Sequence, residues 1–176
     1  MNVPEIEKIL LEKEKELDSY IRDERGVVRM CAKAIKEVHN GNLQEAKELA
    51  ARAKSGMEAL PRIGNRRRMV EQEYTEAVAL IAVAEEGEIP SNNEIGVEGE
   101  PYLLGLLDCI GEIKRLVVEQ LREGKRDKAE YYFQKMDAIY DAIGHLHFSG
   151  ALIPDLRHKQ DVCRALLEDA RGKLIK

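Results

Sequence analysis

The chain has 176 residues, a net charge of −5, 44% hydrophobic residues and 35% charged residues. That suits one folded domain with a full core and excludes both a disordered tail and a simple basic nucleic-acid binder, though not a local basic surface. With no Trp and only two Phe the core must be largely aliphatic, and no apolar run approaches the roughly 18 residues of a membrane span.

The opening stretch, MNVPEIEKILLEKEKELD, is too charged for a secretory signal. It begins a first helix, expected from about Pro4 to His39, with Pro4 suited to the first turn. On it Arg22, Arg25, Arg29, Lys33 and Lys36 follow steps that confine them to a sector of about 80°. Beside that row runs an apolar stripe of Ile21, Val28, Cys31, Ile35 and Val38. The row is either a solvated face paired with Asp18, Glu24 and Glu37, or a surface that tracks phosphates. Asn40 and Gly41 end this helix. Asn42-Leu-Gln-Glu45 reads as a capping box that opens a second helix to about Leu60.

Pro61 and Gly64 break the second helix, and a third is expected from about Asn65 to Glu86. A second basic cluster, Arg62 with Arg66, Arg67 and Arg68, stands at its start. Further along, Met69, Glu73, Glu76, Leu80 and Val83 share one face, with two carboxylates about 60° apart where leucines are expected. Residues 87–100 form the one long loop, rich in Gly, Asn and Glu. A fourth helix runs from about Pro101 to Glu123. It is apolar nearly all round, which places it centrally in a core or between subunits. Its stripe Gly105, Cys109, Glu112, Leu116 carries one acid. The fifth helix, about Lys125 to His147, has the stripe Ala138, Asp141, His145, Phe148, again with one acid. The sixth spans about Pro154 to Leu174. No strand-like alternation competes, so the fold class is all-α: one domain, residues 1–176, built as a bundle of six to seven long helices.

Cys31, Cys109 and Cys163 lie far apart without zinc spacing, as reduced core thiols of a cytoplasmic protein would. Three helices each place an acid among apolar or small residues. Either these acids face solvent, or a shared hard cation, Mg²⁺ or Mn²⁺, offsets the cost of burying them. Paired ions of that kind suit phosphodiester cleavage. A ferritin-like di-iron site fails on ligands, because none of His39, His145, His147 and His158 has Glu three residues before it. There is no Gly-rich phosphate loop and no aromatic stacking platform. Any nucleic acid would be read by backbone and shape.

The stretches EYTEAVALI, PYLLGLLDCIGEIKR, MDAIYDAIG and LRHKQDVCRALLEDARGKL together resemble the translin/Trax family. Their order and spacing fit from about residue 20 to the C-terminus. The resemblance implies an all-α chain that assembles as a barrel-like octamer and binds RNA and single-stranded DNA inside. It also implies an Mg²⁺-dependent endoribonuclease, with Mn²⁺ as the alternative ion. Trax-type chains carry E-Y-x-E and supply catalytic acids, whereas translin-type chains put basic and apolar residues there. Glu73-Tyr74-Thr75-Glu76 is therefore Trax-like. The resemblance adds Asp141 as a further catalytic and metal-holding acid. Glu112, present in both branches, serves either metal or structure. The RNA-contacting cluster of translin falls near Arg66 to Arg68. The compact length resembles an archaeal form and implies a homo-octamer in which every subunit carries a site. A non-catalytic, translin-like binder of RNA or single-stranded DNA is the alternative.

Overall fold

The computed structural model describes residues 2–61 and 66–175. The expected start of the third helix at Asn65, the break at Gly64 and the cation Arg62 lie outside the described residues. The described chain is all-α: α1 Val3–His39, α2 Leu43–Ala59, α3 Arg67–Ala84, α4 Asn92–Ile95, α5 Gly99–Arg122, α6 Arg126–Ile143 and α7 Leu156–Ile175.

The helices stop where local chemistry stops them. After α1, Gly41 takes a left-handed φ of 79°. Its N–H bonds to the Val38 carbonyl, and the Asn42 N–H bonds to that of Glu37. This pair of bonds is the Schellman closure, and glycine adopts it without a Cβ clash. Asn42 is indeed the N-cap of α2, but its side chain makes no capping bond. Its Nδ2 instead donates to Glu37 Oε2 at 2.7 Å, so the expected capping box is replaced by a tie back to α1. A full capping box occurs elsewhere. Ser91 and Glu94 form one at the start of α4, a single turn inside the segment expected to be all loop. The expected fifth helix ends early, at Ile143. Buried Gln160 of α7 donates to the carbonyls of Ile143 and Leu146, satisfying acceptors freed by the stop.

α3 packs against α1, α2 and α5, while α5 packs against α3, α6 and α7. These two helices are the centre of the bundle. The apolar girth of α5 is thus accounted for within one chain: Leu106, Leu107, Ile110, Ile113, Leu116 and Val117 are buried. The three cysteines are buried and free. α1 is different at its two ends. Tyr20, Val27, Cys31, Ala34 and Val38 are buried, but residues 3–16 are exposed, including Val3, Ile6, Ile9, Leu10 and Leu11. Among the described residues no helix is long and apolar enough to cross a membrane.

Candidate active site

Glu73 and Glu76 stand one turn apart on α3, beside buried Tyr74, Thr75 and Ala77. The stripe they interrupt is not apolar at both ends, as expected. Leu80 and Val83 are fully buried, but Met69 is 61% exposed, so the acids lie where α3 passes from solvent into the core. α5 faces them with Asp108 and Glu112, also one turn apart. The approach depends on Gly105. A Cβ there would sit 2.5 Å from the Gln72 carbonyl oxygen and 2.7 Å from Thr75 Cβ. Gly105→Ala is therefore expected to push the two helices apart and destabilise the fold by about 1–3 kcal/mol. A denaturation midpoint equal to the wild type's would remove the close approach.

The electrostatics mark the same group of residues. Burial and then the Asp108 carboxylate push Glu73 above the usual carboxylate range. Burial, followed by the charges of Asp108, Glu73 and Glu112, pushes Glu76 up to about 8. On the α1 side, burial and then the Glu73 and Glu76 charges push the Cys31 thiol up to about 12, keeping it protonated. The acids thus stand where α1, α3 and α5 meet, in a space too dry and too negative for all of them to ionise.

Two basic groups reach into this space from distant parts of the chain. Lys159 of α7 pairs with Asp108 Oδ1. Gln72 Nε2 donates to Asp108 Oδ2 at 2.7 Å. His39, at the end of α1, has its ring 2% exposed and its Nε2 2.6 Å from Glu112 Oε2. That hydrogen bond holds Glu112 below the usual range. Hard oxygen donors in this number suit Mg²⁺ or Mn²⁺. As placed, however, no three His, Cys, Asp or Glu groups among the described residues are poised to hold an ion. Asp108 and Glu112 would have to turn away from their present partners.

The sequence expectation needs two corrections. Asp141 is exposed on α6, about 160° around the helix from buried Ile143 and Ile139. Its stripe, with exposed Ala138, His145 and Phe148, faces solvent, and Asp108 takes its place beside the other acids. In the second basic cluster, Arg67 is not a free cation. Its Nε lies 2.9 Å from Oε1 of buried Glu71. Arg68 pairs with Glu100 at 2.5 Å, leaving Arg66 exposed. The row on α1 differs from that cluster. Arg22, Arg25, Arg29 and Lys33 are exposed, and among the described residues none of them makes an ion pair. Asp18, Ile21, Arg22, Arg25 and Arg29 line a shallow groove there.

A family model described as Translin family matches residues 35–169. A relative from Methanocaldococcus jannaschii, the uncharacterized protein MJ0175, is 27% identical over 175 residues, covering 94% of this chain and 78% of its own length. Among solved structures the chain is similar to AfC3PO in a complex with duplex RNA, with a TM-score of 0.85, 26% identity and coverage of 99% of this chain and 95% of that one. It is equally similar to AfC3PO solved in a separate crystal structure, with a TM-score of 0.84 and 26% identity, covering 99% and 96% of the two chains. For apo-NeC3PO the TM-score is 0.78 at 23% identity, covering 99% and 96%, a likeness of fold.

Proposed function

Because this chain belongs to the translin family, we propose that it binds RNA inside a closed assembly of its own copies and cuts the phosphodiester backbone as an Mg²⁺-dependent endoribonuclease. The observation that supports the chemistry most is the set Glu73, Glu76, Asp108 and Glu112 on two adjoining helices, with Glu76 pushed up to about 8. Crowded acids of this kind gain most when a divalent cation joins them. The cation, Mg²⁺ or Mn²⁺, would supply an activated water and polarise the phosphoryl oxygen. The acids would hold it, and a carboxylate of the set would accept the proton of the attacking water.

Arg22, Arg25, Arg29 and Lys33 would track the RNA backbone, joined by Arg66. Such contacts carry no base information, so single-stranded DNA would bind by the same chemistry. The similarity to AfC3PO in its duplex RNA complex supports RNA as the ligand. Closure into eight copies follows the family resemblance. The exposed apolar residues of α1 supply a surface for contact between copies.

One observation favours a second reading, a binder without nuclease activity. Lys159 already pairs with Asp108 and His39 lies against Glu112, and among the described residues no three acids stand ready for an ion. Labelled single-stranded and duplex RNA, incubated with the purified protein in Mg²⁺ and in EDTA, separates the two. Cleavage in Mg²⁺ that EDTA abolishes is the expected result. RNA retention with no cleavage under Mg²⁺ or Mn²⁺ would leave the binder. Light scattering that returned a 20 kDa particle at micromolar concentration would end the enclosed-site reading.

A further inference from the structure

Lys159 and Asp108 lie 51 residues apart in sequence, yet their side chains meet between α7 and α5, each about a quarter exposed. Gln72 occupies the other oxygen of Asp108, so neither oxygen is idle. The Lys159 charge also reaches Glu73 and Glu76, where it opposes the repulsion among the acids. An ammonium is a compact point charge on a flexible stem, well suited to stand in for a cation and to leave.

We propose that Lys159 is a positioning residue that serves as the internal counter-ion of the metal-free site, and that an incoming divalent cation must take Asp108 from it. The inference rests on the reading of Glu73, Glu76, Asp108 and Glu112 as the metal-holding set. It explains why these acids are near one another without forming a ready-made site. Asp108 is committed to an ion pair that metal binding has to break, and a positive charge remains close to the entering ion. The displaced ammonium has somewhere to go. A groove of about 520 Å³ opens between α5 and α7, lined by Leu107, Asp108, Gly111, His158, Lys159 and Val162. Lys159 can turn into it toward solvent or toward a phosphate of bound RNA. Lys159 thus sets a threshold for metal binding, trading affinity for a folded, less negative site when the metal is absent.

Calorimetric titration with Mn²⁺ alone tests this on the full chain. Lys159→Met and Lys159→Gln should bind Mn²⁺ about tenfold more tightly than the wild type, because a competing cation has gone. Lys159→Arg, which keeps the charge, should stay within about twofold of the wild type. In an Asp108→Asn background the gain from Lys159→Met should shrink, because the contested ligand is missing. If Lys159→Met fails to fold, Lys159→Gln, which keeps a hydrogen-bond donor for Asp108, carries the comparison. A merely structural ion pair would lower the melting temperature of Lys159→Met and leave Mn²⁺ affinity unchanged or weaker. That result overturns the inference while leaving the metal-site reading standing. Absence of Mn²⁺ uptake by every one of these proteins would instead bring down the metal-site reading, and the inference with it.

Discussion

Replacing Glu76 with Gln is expected to lower the proposed RNA cleavage by on the order of a thousandfold and to leave RNA binding and the fold intact. The amide keeps the size and shape of the side chain and removes the charge that would hold a metal. The cleavage defect has a companion that needs no substrate. Glu76 is raised from its ordinary 4.5 to about 8, by burial first and then by Asp108, Glu73 and Glu112. The folded protein therefore keeps a proton that the unfolded chain gives up near pH 4.5. Stability from this source is fully present below that pH and is lost as pH rises toward about 8. Glu73 is shifted in the same direction and adds to the trend. In EDTA, the wild-type melting temperature should fall across this window, and that of Glu76→Gln should fall less. Wild-type cleavage rates in purified Glu76→Gln would refute the assignment of Glu76, and parallel melting curves would refute its environment.

Arg67→Ala should cost about 3 kcal/mol of stability. Glu71 is 1% exposed, and Arg67 is the cation that meets it. Without the guanidinium, the Glu98 backbone N–H at 3.3 Å is left as partner for one carboxylate oxygen, and the charge stays buried. For a chain of this size the melting temperature should drop by about 6–12 °C. Replacing the pair together, as Arg67→Met with Glu71→Gln, should recover most of the loss, since no buried charge remains. The exposed pair Arg171–Asp137 is the control. Breaking it should cost under about 1 kcal/mol. RNA affinity should change little in Arg67→Ala, whereas a phosphate-contacting arginine would show its loss in the salt dependence of binding. An unchanged melting temperature would return Arg67 to the RNA-binding surface.

Helical periodicity finds acids that share a face with residues known to be apolar. It brings out Glu73 and Glu76 through Leu80 and Val83, and Glu112 through Leu116. It fails at Asp141 because a stripe of Ala, Asp, His and Phe does not show which side of α6 meets a neighbour. The buried side is the one with Met136, Ile139 and Ile143. Asp108 was within reach, since it lies one turn before Glu112. It stands off the stripe of Gly105, Cys109 and Glu112, which is why that stripe does not include it. His39 and Lys159 could not be found this way, because their partners lie 73 and 51 residues distant and no local pattern encodes such contacts. The role of Arg67 is different: Glu71 stands four residues on in the same helix, a spacing legible in the sequence. What local spacing does not show is that Glu71 is buried, which sets Arg67 apart from its neighbouring arginines. The short α4 did carry a local signal, Ser91 followed three residues later by Glu94, but Gly and Asn around it read as loop.

α1 is long for reasons that differ along its length. From Tyr20 onward one face of α1 is covered by the core, so its amides are expected to exchange with solvent chiefly when the domain itself opens. Residues 3–16 have no such cover, and an isolated helix of about 12–15 residues is marginal in water. Their exchange rates are set by whatever lies against them. Deuterium uptake along this one helix is thus a gauge with two scales, its far half reading the integrity of the fold and its near half reading occupancy.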